Sequence, residues 1–203
     1  FEKEVSRIYP QKNLFSHVIG QIDDSNTGIS GLEKSLNDKL KKSKKKIRLT
    51  LDSEIQFLVR QELIRAEKFF RNTGSAAILM NINNGKILSL VSMPDFDLNK
   101  RQDIKDRKFI NRVTKAVYEL GSTFKTFTLA AGFNENAIDP DTPFLNLEKN
   151  IKCGGYPIRE YDINIPSNLT TEEILIRSGN IGSVRIAQKV GIEKFKNFLN
   201  KIG

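Results

Sequence analysis

Two apolar runs, residues 75–82 and 86–92, flank Asn83-Asn84-Gly85 and constrain this chain more than any other feature. Each run has strand length, and Asn-Gly supplies the positive-φ residues a tight reversal requires, so the pair predicts an antiparallel hairpin. What surrounds it reads as helix. Asp52 or Ser53 caps a long helix in which Ile55, Val59, Leu63, Ala66 and Phe70 trace one stripe, ended by Asn72-Thr73-Gly74. Another helix is expected from near Ser122 to about Phe133, stopped by Asn134, Asn136 and Asp139-Pro140. Thr170 or Thr171, ahead of Glu172 and Glu173, starts the next, and the remainder to Gly203 reads as two further helices broken at Gly191. A hairpin followed mostly by helices, without strand–helix alternation, predicts an α+β fold and argues against a parallel sheet.

Upstream of Ile47 the pattern is different. Residues 1–29 read as short extended or looped pieces punctuated by Pro10, Gly20 and the turn cluster from Asp23 to Gly28. Ser30 and Glu33 fit a capping box for a helix with Leu32, Leu36 and Leu40 on one face. Ile47 to Leu51 alternates as a short strand would, which places a domain boundary between residues 1–46 and 47–203. Pro94 and the polar stretch from Asp95 to Lys108 form a long irregular connection, a length more often functional than idle.

Composition narrows the function classes. The 203 residues, 38% hydrophobic and 28% charged, suit one globular domain with a short appendage rather than a disordered or low-complexity chain. No stretch approaches the roughly 18 apolar residues of a membrane-spanning helix. The net charge of +9 invites a nucleic-acid reading, yet Lys39, Lys41, Lys42, Lys44, Lys45, Lys46 and Arg48 supply seven charges within ten residues, leaving +2 for the other 193. No aromatic side chains interleave this run for base stacking, so it reads as a solvated linker and no nucleic-acid partner is expected. Cys153 is the one cysteine, in a Cys153-Gly154-Gly155-Tyr156-Pro157 turn, and His17 sits among Leu14, Phe15, Val18 and Ile19 as a packed residue. Neither a metal nor a cofactor is expected.

There are no paired His, no Gly-rich phosphate loop and no Gly-x-Ser-x-Gly elbow; what remains is Ser122-Thr123-Phe124-Lys125. Residues three apart share a helix face, so the Ser122 hydroxyl and the Lys125 amine are within mutual reach. Lysine serves as a base only when neutral, and burial together with the positive end of the helix dipole disfavours the ammonium. The same helix start presents the Ser122 backbone N–H to an oxyanion. Spacing alone is not specific. Ser43 and Lys46 repeat it inside the lysine run, and Ser178-Gly179-Asn180 shares its Ser-x-Asn form with Ser35-Leu36-Asn37.

Context supplies what spacing lacks. Asn111-Arg112-Val113 followed by Tyr118-Glu119-Leu120-Gly121-Ser122-Thr123-Phe124-Lys125 resembles the first active-site motif of class B penicillin-binding proteins, an Asn-Arg ahead of Tyr-Glu-x-Gly-Ser-x-x-Lys. The resemblance extends along the chain. Arg7-Ile8-Tyr9-Pro10, His17-Val18-Ile19-Gly20 and Gly28-Ile29-Ser30-Gly31-Leu32-Glu33 look like the end of that family's pedestal, and Leu49-Thr50-Leu51-Asp52 with Ile55-Gln56 looks like the start of its transpeptidase domain. Asn84-Gly85-Lys86-Ile87-Leu88 and Pro94-Asp95-Phe96-Asp97 are similar to its first hairpin. Ile174 through Gly182, with Ser178 and Asn180, is similar to its second motif, and the 56 residues from Ser122 to Ser178 fit the family's spacing. Leu120 stands where many members carry Pro; with Asp23-Asp24 and Ser30-Gly31-Leu32-Glu33, the chain looks most like the cell-division members.

The resemblance implies a partial penicillin-binding-protein transpeptidase fold, β-lactamase-like, with residues 1–46 as the end of the pedestal (dimerisation) region plus linker and 47–203 as the N-terminal part of the transpeptidase domain. It implies a serine-type D,D-transpeptidase that cross-links peptidoglycan at the division septum and is inhibited by penicillin. Ser122 is then the nucleophile, Lys125 the general base, Ser178 the proton relay to the leaving amine and Asn180 the group that positions Lys125 and substrate, with the Ser122 N–H as oxyanion donor. Implied partners are stem peptides ending in D-Ala-D-Ala, penicillin and other β-lactams, and other division and wall-synthesis proteins. The implied location is the bacterial inner membrane, with the catalytic domain on the periplasmic side and an N-terminal anchor outside this sequence. An elongation-type member and a non-catalytic scaffold portion are the alternatives; a β-lactamase or β-lactam sensor of the same fold has no need of the pedestal-like first 46 residues.

One departure stands out. The family's third motif, Lys-Thr-Gly or a close variant downstream of Ser-x-Asn, is absent from the 203 residues: Asn26-Thr27-Gly28 and Asn72-Thr73-Gly74 lack the Lys and precede Ser122, and Lys201-Ile202-Gly203 comes too soon. The sequence opens at Phe1 without Met and stops 23 residues past Asn180, so a piece of a longer protein, or a degenerate remnant, is expected. Missing sheet partners for the hairpin predict self-association. A half-built oxyanion hole predicts slow acylation by β-lactams, by on the order of 100-fold or more.

Overall fold

The computed structural model describes residues 7–43, 45–100 and 106–203. They divide into two compact units, one running to Val117 and one starting at Tyr118. The architecture is mixed helix and antiparallel strand, an α+β arrangement as the sequence predicts.

In the first unit, turns from Pro10 lead into a single helical turn, α1 (Ser16–Ile19), where a looped segment was expected. The Ser30 helix is interrupted. α2 (Gly31–Ser35) ends at Leu36, and α3 (Asn37–Lys42) begins again from there. The expected capping box does not form. The Ser30 hydroxyl accepts from the Gln21 N–H at 2.8 Å, while Glu33 turns inward, accepting from the Tyr9 hydroxyl at 3.2 Å and pairing with Arg7 at 3.4 Å. Burial beside that carboxylate pushes the Tyr9 hydroxyl up to about 12. The basic run is therefore helical as far as Lys42 and solvent-exposed at its lysines, with Lys44 outside the described residues.

Residues 47–51 form no strand, although Thr50 and Asp52 hydrogen-bond the carbonyls of Ile87 and Leu88. α4 (Ser53–Phe70) starts where its cap predicts: Asp52 Oδ1 accepts from the N–H groups of Glu54 and Ile55 at 2.9 and 3.0 Å. The hairpin follows as β1 (Ser75–Met80) and β2 (Ile87–Met93), antiparallel from Ser75 opposite Met93 to Met80 opposite Ile87, with a bulge at Leu79–Met80. The reversal is wider than two residues, closed by Asn81 N–H to Lys86 O and Gly85 N–H to Asn81 O. Beyond the expected irregular connection, whose residues 101–105 lie outside the described set, come a 3-10 turn at Arg107–Phe109 and α5 (Arg112–Lys115).

Gln56 ties this unit together. It is the one fully buried residue of α4, and all its hydrogen-bonding groups are used: Nε2 donates to the carbonyls of Leu14 and Leu90, and Oε1 accepts from the Ser89 hydroxyl and the Leu90 N–H, each at 2.9 Å. His17 is buried as its apolar neighbours predict, its ring edge-on to Phe96 at 5.1 Å. Its Nε2–H donates to the Lys108 carbonyl at 2.7 Å, and burial lowers its proton affinity.

The second unit opens with a 3-10 turn, Gly121–Phe124, that runs into α6 (Lys125–Asn134). Two small antiparallel pairs follow: β3 (Pro143–Phe144) pairs with β6 (Leu169–Thr170), and β4 (Asn150–Cys153) with β5 (Tyr156–Arg159). The Cys153–Tyr156 turn thus closes a hairpin, since Gly154 and Gly155 both adopt positive φ and suit a two-residue reversal. α7 (Thr171–Ile176) carries a complete capping box between Thr170 and Glu173, and α8 (Asn180–Val190) and α9 (Ile192–Ile202) break at Gly191 as expected. Leu129, Ile138, Leu147, Ile165, Leu169, Ile174, Ile181 and Ile186 form the core.

Replacing Gln56 by Leu keeps the volume but strands buried groups of two backbone segments. Each unpaired group costs roughly 1–3 kcal/mol, so the urea midpoint of the chain should fall, and an unchanged midpoint would show the bridge to be unimportant.

Candidate active site

Three segments distant in sequence converge in the second unit: the first residue of α6, the corner between α7 and α8, and the end of β5. The corner is built by the chain's own termination rules. α7 closes in a Schellman motif, with Gly179 N–H donating to Ile174 O at 2.8 Å and Ser178 N–H to Leu175 O at 3.0 Å. That motif requires a left-handed residue, usually Gly, and the position is held by Ser178 at φ 53°. A hydroxyl is thereby retained where backbone strain favours its loss. Immediately beyond, α8 rises against Ile174 so closely that a Cβ on Gly182 would lie 2.6 Å from that side chain. Gly is required there by the approach.

Lys125 reaches this corner from the opposite side. Its Nζ donates to the Ser178 carbonyl, to Ser178 Oγ at 3.0 Å and to Asn180 Oδ1 at 2.6 Å. An ammonium has three N–H bonds, and three acceptors meet it. Burial lowers the proton affinity of Lys125 below the ordinary lysine value, and the carboxylate of Glu160 opposes that shift. The Asn180 side chain is held at both ends, Oδ1 on Lys125 and Nδ2 donating to the Arg159 carbonyl at 2.7 Å. Its orientation follows from those partners.

The N-terminus of α8 poses a separate problem. Its cap residue, Gly179, has no side chain to satisfy the first-turn N–H groups. Glu160, just past β5, does so from outside: Oε2 accepts from the Asn180 N–H at 2.7 Å and Oε1 from the Ile181 N–H at 2.8 Å. A carboxylate at a helix N-terminus is also favoured by the dipole.

The four side chains singled out from the sequence are thus not equally placed. Lys125, Ser178 and Asn180 are joined directly across 53 and 55 residues. Ser122 lies in the 3-10 turn one turn before, exposed, and its hydroxyl bonds no other described residue, Lys125 included. Its backbone N–H is likewise unbonded among the described residues. Phe124 in the same turn packs on Phe127 at 5.6 Å and Phe195 at 6.5 Å, which fixes the turn to α6 and α9. Glu160 and the Arg159 carbonyl were not anticipated; the only trace in sequence is an acidic residue 20 positions ahead of a helix whose own cap is Gly. Among the described residues no three His, Cys, Asp or Glu side chains are grouped to hold a metal ion, and no helix is long and apolar enough to cross a membrane.

Comparison with known proteins gives the family. Residues 75–203 match the family described as penicillin binding protein transpeptidase domain, and the chain belongs to that family. Over its whole length it is 30% identical to the probable peptidoglycan D,D-transpeptidase FtsI of Caulobacter vibrioides, covering 35% of that protein. With the stage V sporulation protein D of Bacillus subtilis it shares 29% identity over 97% of the chain, again 35% of the relative. Among solved structures, penicillin binding protein 3 of Mycobacterium tuberculosis in complex with aztreonam superposes with a TM-score of 0.85 at 28% identity, covering 98% of this chain and 46% of that one. The chain therefore spans between a third and a half of the relatives it matches.

Ser178 separates strain from chemistry. Ser178→Gly should raise stability by about 1 kcal/mol, read by thermal unfolding, because the left-handed position no longer carries a Cβ. The same change removes the hydroxyl from Lys125. A loss of stability would mean that the Lys125 contact outweighs the strain.

Proposed function

We propose that this chain carries the nucleophile and proton-transfer groups of a class B peptidoglycan D,D-transpeptidase. The observation that supports it best is the amine of Lys125, one helical turn from Ser122, held by Ser178 and Asn180 in partial burial. In the proposed reaction Ser122 Oγ attacks the carbonyl between the two terminal D-Ala residues of a stem peptide while neutral Lys125 takes its proton. The tetrahedral oxyanion is met by the Ser122 N–H. As the C–N bond breaks, the proton passes from Lys125 through the Ser178 hydroxyl to the nitrogen of the departing D-Ala, leaving an ester on Ser122. The amine of a neighbouring stem then attacks that ester and gives its proton to Lys125, which returns it to Ser122 Oγ as the C–O bond breaks, leaving a new amide cross-link and the free serine. Asn180 holds Lys125, and its second N–H is available to the substrate amide.

Penicillin enters the same path, its β-lactam carbonyl replacing the peptide carbonyl, and its ring-opened acyl group stays on Ser122. We further propose residues 1–46 as the end of the pedestal and 47–203 as the start of the transpeptidase domain. We also propose a role in division, on the periplasmic side of the inner membrane with other wall-synthesis proteins as partners; the name of the Caulobacter relative, a peptidoglycan D,D-transpeptidase, supports the wall-synthesis part of this reading. Exposed Ile78, Leu79 and Met80 on β1 support association of this chain with itself or with other chains. No Lys-Thr-Gly stands among the 203 residues, so the chain by itself acylates more slowly than a protein with all three motifs, by on the order of 100-fold.

Intact mass after incubation with excess benzylpenicillin tests the assignment. One adduct is expected on the chain and none on Ser122→Ala. An adduct that survives the substitution places the nucleophile elsewhere, and none on either form contradicts an activated serine.

A further inference from the structure

Glu160 lies outside the Ser-x-x-Lys and Ser-x-Asn motifs, yet it touches the site through two routes. Its carboxylate grips the N–H groups of Asn180 and Ile181, so the first turn of α8 cannot rotate without breaking two charge-assisted hydrogen bonds. The residue before it, Arg159, offers the carbonyl that holds Asn180 Nδ2. The backbone N–H of Asn180 and both ends of its side-chain amide are therefore bonded, with Oδ1 directed at Lys125. No capping side chain on Gly179 competes for this place.

We propose that Glu160 is a positioning residue for the transpeptidation reaction, clamping the start of α8 so that Asn180 meets Lys125. The assignment rests on the reading of Lys125 as base to Ser122. The other charged groups on the elements packed against α6 are paired elsewhere or exposed, and the side chains of Arg159 and Arg177, which adjoin the site in sequence, are exposed. Glu173 of α7 is bound in the capping box with Thr170, and Arg185 of α8 pairs with Glu148 at 2.9 Å. Lys194 of α9 pairs with Glu135, Lys196 with Glu193, and Lys189 of α8 lies over the Phe144 ring. Glu172 of α7 and Lys201 of α9 are exposed to solvent. Glu160 is the charge whose field opposes the desolvation of Lys125.

Glu160→Gln is the informative variant. It keeps shape and one acceptor but removes the charge and replaces the second acceptor with a donor that cannot serve the helix N–H. Two quantities separate positioning from mere stability: the titration midpoint of Lys125, followed by its side-chain 13C shift and assigned with Lys125→Arg, and the pH profile of Ser122 acylation by benzylpenicillin. Without the carboxylate the Lys125 midpoint moves to lower pH, the acid limb of acylation moves with it, and the plateau drops by on the order of 10–100-fold as Asn180 loses its clamp. Glu160→Asp restores the charge and returns the limb toward its original pH, with the plateau still lowered by the shorter reach.

A lowered plateau with an unmoved limb and an unmoved Lys125 midpoint would overturn the proposal and leave Glu160 a structural cap. Should Glu160→Gln fail to fold, amide hydrogen exchange in the unaltered chain decides: slow exchange at Asn180 and Ile181 supports the clamp, and fast exchange at both refutes it. A Lys125 midpoint that shifts while the unaltered chain forms no Ser122 adduct sinks the serine reading and leaves the Glu160 clamp standing.

Discussion

The second unit is arranged around one amine. Removing a lysine head group from water is unfavourable unless its donors are met, and the three acceptors that meet Lys125 come from a carbonyl, a hydroxyl and an amide more than 50 residues away. That requirement accounts for the left-handed Ser178, which turns both its carbonyl and its hydroxyl onto the same donor. It also accounts for the close approach of α8 over Gly182, which brings Asn180 within 2.6 Å. Strain at one residue and a missing side chain at another are tolerated because the amine is placed by them.

The first unit obeys the same rule without chemistry. Gln56 satisfies backbone groups on two segments distant in sequence, and His17, whose proton affinity is lowered by burial, donates to a carbonyl. Glu33 is instructive because its backbone context suggested a capping role on the surface, whereas Tyr9 and Arg7 draw it inward. Gln56 and Glu33 are buried polar groups whose partners lie far off in the sequence.

Much of this was legible beforehand, for identifiable reasons. α4, the β1–β2 hairpin, the helix start at Thr170 and the break at Gly191 rest on signals confined to a few neighbouring residues, and those signals survive folding. Ile47 to Leu51 alternates like a strand but finds no ladder, and the Leu32, Leu36, Leu40 stripe breaks at Leu36, since tertiary context outweighs local pattern in short segments. Ser122, Lys125, Ser178 and Asn180 were visible as short motifs, and resemblance to a family distinguished them from chance repeats such as Ser43 with Lys46. Glu160 was not visible. Its partners are backbone N–H groups of a helix 20 residues later, and no periodicity or spacing encodes such a contact.

Family membership, the joined Lys125, Ser178 and Asn180, and the exposed Ser122 one turn away are the observations that support the proposed serine–lysine pair, and burial lowers the proton affinity of that lysine. The most direct check on that account is the second-order rate constant for Ser122 acylation by benzylpenicillin, measured from about pH 5 to about pH 11 on the chain and on Lys125→Met. Lys125 as base predicts a rate that rises with pH through a single limb lying below the ordinary lysine value of about 10.4, and a limb that disappears in the variant. A limb that persists unchanged without Lys125, or a rate indifferent to pH in the unaltered chain, would contradict it.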